Sequence, residues 1–143
     1  MTRRLTAVVP AAMLAAAGFL GADDKPKKPK LDLRVIPRMA FSPATVLLTA
    51  ELQGGDDIEE YHCPEIEYDW DDGGKSVQEG DCAPFEPGTK IQRRFTNEHT
   101  FRRSGVYNIK VTMRRADRSF AAATVRVTVR PGLGDPTRDP PLD

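Results

Sequence analysis

Two stretches decide how this chain reads: Tyr68-Asp69-Trp70-Asp71-Asp72-Gly73-Gly74 and, about 30 residues later, His99-Thr100-Phe101 leading into Gly105-Val106-Tyr107-Asn108-Ile109. In the first, Ile66, Tyr68 and Trp70 alternate with Glu67, Asp69 and Asp71, the period-two pattern of a half-buried strand, and the pattern stops at an acidic glycine turn. In the second, Tyr107, Ile109, Val111 and Met113 alternate with Asn108, Lys110 and Thr112. Trp70 is the chain's one tryptophan, which makes it the natural centre of an apolar core.

Moving outward, the same period returns in Val46, Leu48, Ala50, Leu52 and in Ala123, Val125, Val127, Val129. Arg115-Ala116-Asp117-Arg118 is short and polar enough to be a hairpin connection. No segment after the first 22 residues has a helical period. The expectation is an all-β domain over 31–131, about the size of a seven-stranded immunoglobulin-like two-sheet sandwich.

The two opening stretches resemble polycystic-kidney-disease (PKD) type immunoglobulin-like domains, in which an acidic Gly turn follows the tryptophan strand and a His-Thr-aromatic segment precedes Gly-x-Tyr-x-hydrophobic. Ser42-Pro43-Ala44-Thr45-Val46 resembles that family's turn into its second strand. The resemblance implies a core built on Trp70, a tyrosine corner at Tyr107, and a His99 that hydrogen-bonds near the end of the fifth strand. It also implies a non-catalytic module of exported proteins, mediating protein or carbohydrate contacts at the cell surface or in the periplasm. The family turn reads Trp-Asp-Phe-Gly-Asp-Gly; here Asp72 stands where Phe is expected and Gly73-Gly74 follows. The segment 75–89, with Cys82, Pro84 and Pro87, then reads as an inserted loop.

The ends are of a different kind. Residues 1–22 carry Arg3 and Arg4, an apolar run from Leu5 to Leu20 and small residues at Gly18, Gly21 and Ala22, and read as a secretory signal peptide, with an uncleaved anchor as the alternative. Residues 23–30 mix Lys and Pro and read as a linker; residues 132–143, rich in Pro, Gly and Asp, read as a disordered tail. A secreted or periplasmic protein, monomeric and of bacterial origin, is expected.

Charge excludes some partners. Lys and Arg total 21 against 21 Asp and Glu, and removal of Arg3 and Arg4 with the signal leaves a nearly neutral chain. No global field draws it to nucleic acid or to an anionic membrane. Locally the acids concentrate from Asp56 to Glu86 and the arginines from Arg93 to Arg130. The two cysteines, Cys63 and Cys82, read by default as a disulfide in an oxidising compartment, against two unpaired buried thiols.

Several residues could carry chemistry. Asp69, Asp71 and Asp72 are the oxygen-rich set suited to calcium, which some relatives of the fold bind, against a plainly solvated strand face and turn. No other cofactor is expected. With the third, sixth and seventh strands adjacent, Glu67 and Asp69 would lie beside Lys110, with Arg126 and Arg130 beyond, forming a charge ladder or an interaction face. His62, Cys63, Cys82 and His99 are zinc-ligand types, but adjacent His62 and Cys63 would point to opposite faces of a strand and no CxxC or HxxxH spacing supports them. The serines Ser42, Ser76, Ser104 and Ser119 lack a GxSxG elbow, and a carboxylate pair such as Asp72 and Glu79 has no evident deep cleft, so no catalytic residues are assigned. A small inhibitor presenting the 75–89 loop is the remaining alternative.

Overall fold

Alternation of side chains builds the sheets. In β3 (Ala44–Gln53), Ala44, Val46, Leu48, Ala50 and Leu52 are buried while Thr45, Leu47 and Gln53 face out; in β7 (Gly105–Arg115), Tyr107, Ile109, Val111 and Met113 are buried between exposed Val106, Asn108 and Lys110. Each strand thus has one wet and one dry face, and burial of the dry faces against each other drives the two sheets together. The other strands are β1 (Lys30–Ile36), β2 (Met39–Phe41), β4 (Glu65–Asp69), β5 (Lys75–Gln78), β6 (Arg94–Phe101) and β8 (Arg118–Arg130). The computed structural model describes Gly21 and residues 25–135, so all of the signal segment but Gly21, residues 22–24 of the leader and linker, and residues 136–143 of the tail lie outside the described residues.

One sheet has the order β1-β3-β6 and the other β2-β8-β7-β4-β5. All neighbours are antiparallel except β2 and β8. Among the described residues the strands number eight, not the expected seven. Two of them left little trace of alternation: β2 has three residues, and β5 occupies the first four positions of the segment read as an inserted loop. That loop therefore begins at Glu79. The β7–β8 turn is at Ala116-Asp117, with Ala116 at φ 49°.

Between the sheets lie Leu48, Ile66, Tyr68, Trp70, Phe101, Ile109, Val111, Met113 and Val127, all without solvent exposure. Both boundaries of the domain extend beyond the apolar strands. At the N-terminal side, Lys27 N–H donates to Asp56 Oδ2 (3.0 Å), Asp56 N–H donates to Lys27 O (3.2 Å), and Pro29 is buried beside Gly55. At the C-terminal side, residues 132–135 do not form part of a featureless tail. Gly132 N–H donates to Ser42 Oγ (3.0 Å), and the Asp135 carboxylate, 6% exposed, accepts from the Ser42 hydroxyl and from Ser104 N–H (2.8 Å). A Cβ on Gly132 would come within 1.9 Å of the Ser42 carbonyl oxygen, so only glycine permits this approach.

Candidate functional site

The β4–β5 and β6–β7 turns meet at one end of the sandwich, where the two opening motifs come together. Trp70 stacks on Tyr68 (centroids 5.5 Å, 7° between planes) and on His99 (4.3 Å, 5°). Phe101 presents its edge to Trp70 (6.5 Å) and His99 (4.9 Å) and stacks on Tyr107 (4.2 Å). Ring–ring contacts of this kind add about 0.5–1.5 kcal/mol each to simple burial. The polar atoms of the Trp and Tyr rings are engaged: Trp70 Nε1–H donates to Ser76 Oγ (2.9 Å), Tyr68 O–H to Gln78 Oε1 (3.0 Å) and Tyr107 O–H to Arg103 O (2.7 Å). Burial pushes the Tyr68 phenol up to about 12.

Asp72, at the position where the resemblance expects Phe, faces His99: its Oδ2 is 2.6 Å from His99 Nε2, and its Oδ1 accepts from Gly74 N–H (2.9 Å). Burial works to raise this carboxyl, but the hydrogen bonds from His99 and Gly74 outweigh it and hold Asp72 below the usual carboxylate range. Asp71 (φ 62°) turns the other way and accepts from Asn108 N–H (2.9 Å), while Asp69 Oδ1 accepts from Asp71 N–H (3.2 Å). The three carboxylates read as calcium ligands therefore share a turn but not a focus. Among the described residues no group of three or more His, Cys, Asp or Glu side chains gathers as a metal site. The zinc set is likewise dispersed, with both thiols in a disulfide and His99 at the opposite end from His62.

The outer face of the five-stranded sheet carries the charge ladder. Asp69 is in register with Lys110, and Asn108 with Arg126. The acids, however, are neutralised from elsewhere: Lys75 on β5 lies 3.5 Å from Glu67 and 3.6 Å from Asp69, and Arg114 lies 3.9 Å from Glu67. Lys110, Arg126 and Arg130 have no carboxylate partner among the described residues; Arg126 Nε–H donates to Asn108 Oδ1 (3.4 Å) instead. Lys75 was hidden from sequence reading inside the supposed loop. Only the β4–β5 register reveals it as the ladder's cation.

No protein-family model and no curated protein matches the chain by sequence. The structure, by contrast, is similar to the solved PKD domain of an M14-like peptidase from Thermoplasmatales archaeon SCGC AB-540-F20, with a TM-score of 0.52 at 15% identity, over 74% of this chain and 99% of that domain. The chain has the PKD fold. Within that fold, the aromatic end and the charged face lie on the two sheets' own strands, whereas the opposite end is made of loops.

At that opposite end of the PKD fold, Cys63 and Cys82 are joined in a disulfide, and His62 Nε2 lies 2.8 Å from Ala83 O. His62 and Cys63 do not sit on a strand. They follow a 3₁₀ turn (Glu59–Tyr61), with Cys63 at φ 51°. Gly80 is packed so closely that a Cβ there would come within 2.8 Å of Cys63 Sγ. Arg93 completes the clamp: its guanidinium donates to Gly54 O (2.5 Å), Gly55 O (3.3 Å) and Asp57 Oδ1 (2.9 Å). The Arg93 hydrogen bond, joined by the Ile91 N–H, holds Asp57 below the usual carboxylate range against some desolvation. Nothing in the sequence marked Arg93 among its neighbouring arginines, since its partners lie more than 35 residues away.

Proposed function

We infer that this chain is a non-catalytic interaction module of immunoglobulin-like strand order, exported to the cell surface or periplasm, and that it contacts a protein or carbohydrate partner through the outer face of β2-β8-β7. One observation supports this reading above the others: among the described residues Lys110, Arg126 and Arg130 have no carboxylate partner, on a face where Glu67 and Asp69 are already neutralised by Lys75 and Arg114. A face meant only for solvent gains from mixed, locally balanced charge; an unbalanced patch steers and orients a partner of opposite sign. The disulfide suits an oxidising compartment. The test is retention of the mature domain on envelope material from the producing cells. R126S/R130S should lose most of its retention, whereas Thr49→Ser with Thr96→Ser, on the outer face of the other sheet, should keep it. Equal retention of all forms would sink this reading.

A further inference from the structure

We propose that the β2 edge and the adjoining outer face form a docking site for an extended acidic peptide that carries apolar side chains. This rests on the interaction face inferred above and names the chemistry of its partner.

Three observations converge on it. The first is the set of cations without a carboxylate partner among the described residues, of which Arg126 and Arg130 lie on β8, the strand beside β2. The second is apolar: Met39 (54% exposed), Phe41 (65%) and Val106 (55%) share this face with them, in adjacent rows in which Met39 and Val106 both flank Thr128 and Phe41 flanks Arg130. At the end of these rows a surface hollow of about 450 Å³ is lined by Phe41, Ser42, Pro131, Gly132 and Leu133. A polyanion recognised by charge alone would find no use for Met, Phe and Val in such a patch. An acidic peptide with intervening apolar residues would.

The third is the open main-chain edge. Thr128 N–H donates to Arg38 O and Ser42 N–H donates to Arg130 O (both 2.9 Å), which fixes the residues of β2 that face β8. Alternate residues of a strand send their main-chain groups to opposite edges, so Met39 and Phe41 direct their N–H and C=O away from the sheet. No strand pairs with β2 on that side among the described residues. An added strand there would take main-chain hydrogen bonds from β2, set one row of its side chains over Met39 and Phe41, and bring its carboxylates within reach of Arg126 and Arg130.

The probe is a fluorescent synthetic peptide in which Glu, Leu and Glu occupy alternate positions separated by Thr. Binding is measured by anisotropy against the intact domain. The expected result is saturable binding that weakens roughly tenfold in R126S/R130S, the loss of two charged contacts. Phe41→Ser should weaken it as well, and main-chain N-methylation of the peptide should abolish it. Near-UV circular dichroism from Trp70 checks that each variant stays folded. Equal binding by polyglutamate or by anionic phospholipid vesicles would overturn the proposal, because charge alone would then suffice. So would undiminished binding of the N-methylated peptide, or of R126S/R130S. If no peptide binds while R126S/R130S still loses envelope retention, the acidic-peptide assignment fails and the interaction face stands.

Discussion

The two ends of the sandwich are held by different physics. At the aromatic end, Trp70, His99, Phe101 and Tyr107 interlock side chains from both sheets, with polar atoms satisfied at close range by Ser76, Asp72 and Arg103. At the other end, two long loops send Tyr61 and Ile91 into the core, and the remainder, mostly polar, is fastened by the Cys63–Cys82 bond and by Arg93. Where strands bring rings into contact, packing holds the end together; where long polar stretches of loop surround a few buried anchors such as Tyr61 and Ile91, covalent and ionic ties are added to the packing. In the chain-entropy model the disulfide acts by restricting the unfolded chain, whereas the Arg93 bonds act only in the folded one.

The largest effect should come from breaking the aromatic end. Trp70→Ala removes a fully buried ring and should cost about 3–5 kcal/mol, read as a lowered urea midpoint at unchanged slope. Replacing both cysteines by Ser should cost about 3 kcal/mol for a loop of this length. The sharper readout is local: hydrogen exchange should accelerate in 79–93 while the near-UV signal of Trp70 stays in place. Collapse of that signal would mean that the two ends are not separable.

Asp72→Asn should have a smaller effect, about 1 kcal/mol, through weakening of one partly exposed hydrogen bond to His99. Its pH dependence carries a sign. Because the folded protein holds Asp72 below its ordinary value, its contribution is complete above about pH 4 and is lost as pH falls through the lowered value. The variant should therefore lose part of the acid sensitivity of the wild type, and an unchanged profile would remove Asp72 from the account. The smallest effect expected is that of calcium: because the carboxylates of the turn are committed to separate partners, millimolar calcium should leave the melting temperature where a chelator leaves it.

Much of the fold was legible because period-two alternation is local: Val46 to Leu52, Ile66 to Trp70, Tyr107 to Met113 and Ala123 to Val129 each declare a dry face within a few residues. β2 was too short for that signal, and β5 was disguised by the polar residues Lys75, Ser76 and Gln78. The site was legible only in part. Trp70 and His99 could be marked as residues, but that Asp72 would turn to His99 while Asp71 turned to Asn108 depends on how a five-residue turn lies against β7.

The sequence by itself determined the all-β class, the aromatic positions, the single cysteine pair and the uneven spread of charge, because each of these is written in residue types and short spacings. Only the tertiary structure decided the eighth strand, the closure of Asp135 onto Ser42 and Ser104, and the clamp made by Arg93. It also decided that Lys75 and Arg114 take Glu67 and Asp69, leaving Lys110, Arg126 and Arg130 without carboxylate partners among the described residues. The physical reason is range: a strand's faces follow from neighbours two residues apart, whereas the partner of a charge follows from register between strands, which only the assembled sheets set.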